Sequence, residues 1–140
     1  MKFWDTSAIV PLCLRESQTP LVRSVAEEDG AIVVWWMTPV ECYSTFARLR
    51  RNDILTRAHE DQARQAVARL AADWLEVQPS HRVREAAARA LLLHPLRAAD
   101  AVQLSAALLW TNGLTARRHF VCLDDRLREA AQAEGFRVLP

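Results

Sequence analysis

The sequence predicts an α/β fold: a three-layer α/β/α sandwich with a mainly parallel central sheet. Three observations carry this expectation. Short apolar runs ("KFW", "AIVVW", "LEVQP", "HFVCL", "FRVLP") alternate with stretches of helical periodicity. "AIVVW" (31–35) is a continuous, largely β-branched run, as expected for a strand covered on both faces. The turn signals between runs are short, so each strand reaches the next through a helix, which implies right-handed crossovers.

The elements follow in order. "KFW" is a strand, and "DTSAIVPLCL" turns into a helix. "TPLVRSVAEEDG" is a helix with Pro20 at an early position and Gly30 as its stop. After the "AIVVW" strand, "TPVECYSTFARLRRN" reads as a helix. There Thr38 can be the N-cap, Pro39 the first helical residue and Glu41 the reciprocal half of a capping box. Thr56 to Trp74 is a longer helix, with Ala63, Ala66, Val67, Leu70 and Ala71 at helical spacing. "LEVQP" is a strand, and "SHRVREAAARALLL" a helix capped by Ser80 and ended by Pro95.

"HPLRAADAVQLSAALLW" (94–110) supplies the next helix, an apolar run with Asp100 standing inside it. "HFVCL" is a strand, "DDRLREAAQAEG" a helix closed by Gly135, and "FRVLP" the last strand. No Gly/Ser linker, repeat or low-complexity block divides the chain, so residues 1–140 are expected to form a single domain.

Composition narrows the function classes. With a net charge of +1, any nucleic-acid contact must rest on local patches rather than on bulk charge. Lys2 is the only lysine among 18 basic residues. Arginine forks suit phosphate oxygens, although a coding bias explains the same composition. Cys13, Cys42 and Cys122 are odd in number and widely spaced, which argues against a disulfide framework or a zinc ribbon. The four histidines form no HExxH. The opening apolar stretch is too short to span a membrane and Asp5 suits no signal peptide, so a cytoplasmic protein without membrane association is expected.

Several acids fall where a parallel sheet places its ligand crevice, beyond the carboxyl ends of the strands. Asp5 directly follows the first strand, Glu41 lies in the first turn after the second, and Asp124 and Asp125 follow "HFVCL". Asp100 lies in the first turn of its own helix. Taken singly, each fits a capping or helix-dipole role. Taken together, they would gather like charges, which repel and raise one another's pKa. A hard divalent cation makes use of such a gathering; Mg²⁺ or Mn²⁺ takes oxygen ligands and needs neither histidine nor cysteine.

"FWDTSAIVPL", "TPVEC", "LRAADAVQLSAALL" and "FVCLDDRLREAAQAEGFRV" resemble, in order and rough spacing, the PIN domains, and most of all the toxin ribonucleases of the VapBC type. The resemblance covers essentially the whole chain. It implies a metal-dependent endoribonuclease with Asp5, Glu41, Asp100 and Asp124 around one or two Mg²⁺ or Mn²⁺ ions. Asp124 is chosen over Asp125 because it matches the family's position after the strand. Ser7, or Thr6, is implied as a hydrogen-bonding support. Partners implied are an RNA substrate, a small VapB-like antitoxin and a second copy in a homodimer.

Other features admit two readings. Arg97 could hold a phosphate or pair with a nearby acid. Of Trp35 and Trp36, base stacking is open to either, with core packing for at least one. "ARLRRND" (47–53) reads as a solvated helix end, and Arg117 and Arg118 as loop charges. Leu49, Ile54, Leu55 and Trp74 could line a groove for a partner helix or belong to the core. A phosphoacceptor domain would want a lysine beside its acids, and Lys2 lies at the wrong end of its strand. An aspartyl-nucleophile hydrolase would want DxD, which "DTS" lacks. A housekeeping nuclease and a non-cleaving RNA- or protein-binding PIN-like domain are the remaining alternatives.

Overall fold

The computed structural model describes residues 1–140, with the elements in the expected order. They are β1 (Lys2–Trp4), α1 (Thr6–Cys13), α2 (Thr19–Glu27), β2 (Ile32–Trp35), α3 (Thr38–Arg51) and α4 (Arg57–Ala71). Then come β3 (Leu75–Val77), α5 (His81–Leu93), α6 (Ala98–Trp110), β4 (His119–Val121), α7 (Asp125–Ala133) and β5 (Arg137–Leu139). The five strands form one sheet in the order β3-β2-β1-β4-β5, every pairing parallel.

Alternation along the strands sorts the side chains between two cores. Phe3, Val33, Trp35 and Phe120 face one cluster, filled by Val83, Ala87 and Ala90 of α5, Leu104 of α6 and Leu127 of α7. Trp4, Val34 and Val121 face the other, filled from α1 to α4 by Ile9, Val22, Phe46 and Val67. The sheet is therefore covered on both sides, which is why "AIVVW" has no polar face.

Most helix starts obey their caps. The side chains of Asp5, Thr56, Ser80 and Asp124 accept backbone N–H groups of Ser7, His59, Val83 and Leu127. Gly135 closes α7 at φ 93°, a conformation that strains any residue with a Cβ. Gly30 does not act as a stop. Helix α2 ends at Glu27, and only Gly113 and Gly135 among the glycines have positive φ.

Thr38 departs from its expected role as well. The N-cap of α3 is Met37, without a side-chain cap bond. The Thr38 hydroxyl instead accepts from the amide of Gln103 at 3.3 Å. The capping box proposed for Glu41 therefore does not form.

Of the four residues considered for a groove, Trp74 is buried in the core, Leu55 packs against it and Leu49 is half-buried; Ile54 alone is largely exposed. Cys42 and Cys122 are buried, Cys13 is half-buried, and none forms a disulfide. Arg118 lies over the Trp110 ring at 5.6 Å rather than standing free in its loop. No helix is long and apolar enough to cross a membrane.

Candidate active site

The chain lays β2 and β3 on one side of β1, then β4 and β5 on the other. Connections thus diverge between β1 and β4, and a parallel sheet opens its crevice at the carboxyl ends of such a pair. Asp5 follows β1 and Asp124 follows β4 there. The Asp5 backbone N–H donates to the Val121 carbonyl at 2.9 Å, joining the two strand ends.

A crevice of about 910 Å³ lies over this point. Asp5, Glu41, Asp100, Asp124 and Asp125 all line it, together with Thr6, Ser7 and Arg97. Every site residue expected from the sequence is thus brought to one place. The first turns of α1, α3, α6 and α7 contribute them, so four helix N-termini set partial positive charge behind the acids.

Three of the acids are held by hydrogen bonds. Asp5 is 5% exposed, and its Oδ2 accepts the Ser7 N–H at 2.9 Å. The Ser7 hydroxyl accepts the Leu123 N–H at 2.9 Å and so links α1 to the segment after β4. Glu41 Oε2 accepts the Thr6 hydroxyl at 2.7 Å and the Gln103 amide at 3.0 Å. Asp124 Oδ1 caps α7 through the Leu127 N–H at 2.9 Å.

Asp100 resolves the oddity of its apolar surroundings. It is half-buried at the mouth of α6, whereas Ala101 and Gln103 to Ala107 are buried. The helix sends one polar end into the crevice and its body into the core.

The electrostatics are those of uncompensated charge. Burial pushes the Asp5 carboxyl up to about 6; the nearby Glu41 adds to this, and the hydrogen bonds from Ser7 oppose it. The Asp100 carboxyl is also raised, first by burial and then by the charge of Asp124, against the pull of Arg97 and Arg126. None of the molecule's ion pairs includes Asp5, Glu41, Asp100 or Asp124. Arg97 therefore closes no ion pair with a neighbouring acid.

The donor set is chemically suited to a hard cation, being carboxylate and hydroxyl oxygen without nitrogen or sulfur ligands. Asp5 and Asp124 each commit one oxygen to a cap and keep the other. No three His, Cys, Asp or Glu side chains are gathered into a ready-made ion cage. Mg²⁺ does not require one, since it commonly keeps several waters and takes one or two carboxylates together with substrate phosphates.

Arg48, Thr45 and Arg126 also line the crevice and were not singled out by sequence. A signal existed for two of them. Thr45 and Arg48 stand four and seven residues after Glu41, on the same face of α3. "ARLRRND" is thus only partly a solvated end, since Arg48 faces the crevice and Arg50 pairs with Glu60 of α4. Gln103, three residues after Asp100, was hidden by the apolar helix around it. Trp35 is buried and Trp36 is 46% exposed.

The "LDD" pair can be separated by measurement. The resemblance assigns the fourth acid to Asp124, so Asp124→Asn should lower the expected cleavage far more than Asp125→Asn, although both line the crevice. Steady-state cleavage rates of the two variants check this, and a larger loss at Asp125 would reverse the assignment.

The parallel five-stranded sheet, with helices on both faces and an acid-lined switch point, makes a three-layer α/β/α fold. Over its whole length the chain is similar in fold to a solved structure, FitAcB from Neisseria gonorrhoeae. The TM-score is 0.64 with 16% sequence identity, covering 100% of this chain and 97% of that one. No family model matches the chain, and no curated protein matches it in sequence.

Proposed function

We propose that the chain is a metal-dependent endoribonuclease, the toxin of a VapBC-type toxin–antitoxin pair. The observation that carries this reading is the crevice itself: five carboxylates line it, two of them raised in pKa and none neutralised by an ion pair. Evolution rarely leaves such charge unpaired without use, because burial and mutual repulsion both destabilise the fold.

Asp5, Glu41, Asp100 and Asp124 would hold one or two Mg²⁺ or Mn²⁺ ions. Bound there, the cation would neutralise a phosphodiester, lower the pKa of a water and orient it for in-line attack. The residues of the chain do the rest. Asp5 is held on its cap by Ser7, and Glu41 is held by Thr6, so their remaining oxygens need little reordering to meet a ligand. Arg48, Arg97 and Arg126 line the same crevice and give guanidinium forks to phosphates flanking the cut. Hydrolysis places the water oxygen on phosphorus and a proton on the departing 3′ oxygen.

The partner reading, an antitoxin together with a homodimer, comes from the sequence resemblance. An acidic crevice attracts an arginine or lysine from a partner's tail, which then competes with the cation. Expression of the chain alone should arrest bacterial growth, and co-expression of a neighbouring small gene should restore it. Harmless expression of folded, RNA-cleaving protein would point instead to a housekeeping nuclease.

A further inference from the structure

Gln103 lies within the apolar body of α6 and is 1% exposed. Its Nε2 donates to Thr6 Oγ1 at 2.9 Å and Glu41 Oε2 at 3.0 Å, with Thr38 Oγ1 at 3.3 Å as a longer third acceptor. Its Oε1 is buried without a partner. A leucine of similar size would fill the space without stranding a carbonyl, so packing does not account for the amide.

The donor side does account for it. Thr6 gives its own proton to Glu41 Oε2, which leaves the Thr6 oxygen to accept from Gln103. The three side chains close a ring of hydrogen bonds on one oxygen of Glu41. Its Oε1 takes part in none of them.

We propose that Gln103 is a positioning residue: with Thr6 it anchors Oε2 of Glu41 and leaves Oε1 as the oxygen free for a divalent cation. A glutamate has three torsions to restrict on binding, and pinning one oxygen beforehand removes most of that cost. The inference rests on the metal reading of the same crevice.

The test is Mn²⁺ affinity, measured by calorimetry on the full chain, for wild type, Gln103→Leu and Thr6→Val. Gln103→Leu should fold with wild-type or greater resistance to urea and bind Mn²⁺ about 10–100-fold more weakly. Thr6→Val should weaken binding in the same direction. In a Glu41→Gln background, Gln103→Leu should cause no further loss. Should Gln103→Leu fail to fold, Gln103→Met and Thr6→Val carry the same comparison. Wild-type affinity in the folded Gln103 variants would overturn this inference alone. A wild-type protein that binds no Mn²⁺ would sink the metal reading and this inference with it.

Discussion

Asp100→Asn is expected to lower metal-dependent RNA cleavage by at least about 10²–10³-fold while leaving the fold intact. The substitution keeps the side-chain volume and removes the charge that a cation would use. Stability should hold or rise slightly, because Asp100 enters no ion pair and its carboxyl is raised by burial and by Asp124, against a backbone hydrogen bond and the charge of Arg97. The helix-dipole contribution at stake is only about 0.3–1 kcal/mol, and relief of repulsion from Asp124 offsets it. Cleavage assays at matched Mn²⁺, alongside thermal unfolding, check both halves. A variant that cleaves at the wild-type rate would remove Asp100 from the site.

Asp5→Asn should abolish cleavage too, yet make the metal-free protein more stable at neutral pH. Asn caps a helix as well as Asp does, so α1 keeps its start. What changes is the buried charge. Burial, with Glu41 beside it, lifts the folded pKa to about 6 from the ordinary 3.8. A pKa raised on folding favours the native state of the protonated group. That stability is full below about pH 4 and lost as pH rises through about 6. Above it, the ionised carboxylate costs up to roughly 3 kcal/mol, at about 1.4 kcal/mol per pH unit.

Urea unfolding should therefore show Asp5→Asn ahead of wild type at pH 7.5, with the gap closing near pH 4. Added Mn²⁺ should narrow the gap at pH 7.5 by stabilising only the wild-type native state. Equal stability of the two proteins at pH 7.5 without metal would mean that Asp5 carries no uncompensated charge.

The elements that sequence reading located well are those written in local chemistry. "AIVVW" has one apolar residue after another because both its faces are covered, and Ser80, Thr56 and Asp124 cap the helices they precede. Asp5, Glu41 and Asp124 were legible for a similar reason, since a parallel sheet fixes where residues following a strand must lie, whereas Asp100, on a helix that follows another helix, stood out as a charge in an apolar run. What escaped depended on partners far along the chain. Thr38 looked like a cap, but its hydroxyl is taken by a residue 65 positions away. Gln103 drew no attention inside its apolar helix, because only its bonds to Thr6 and Glu41, far along the chain, set it apart. Arg48 read as one of several basic residues at a helix end. Its place on the Glu41 face of α3 becomes meaningful only once that face is known to meet the crevice.

The most direct measurement is RNA cleavage by the purified chain after chelation, followed by graded return of Mn²⁺. The stripped protein should not cleave, added Mn²⁺ should restore cleavage, and Asp100→Asn should show no recovery. Cleavage that persists unchanged in chelator, or that returns equally in Asp100→Asn, would contradict a metal-dependent nuclease built on these carboxylates.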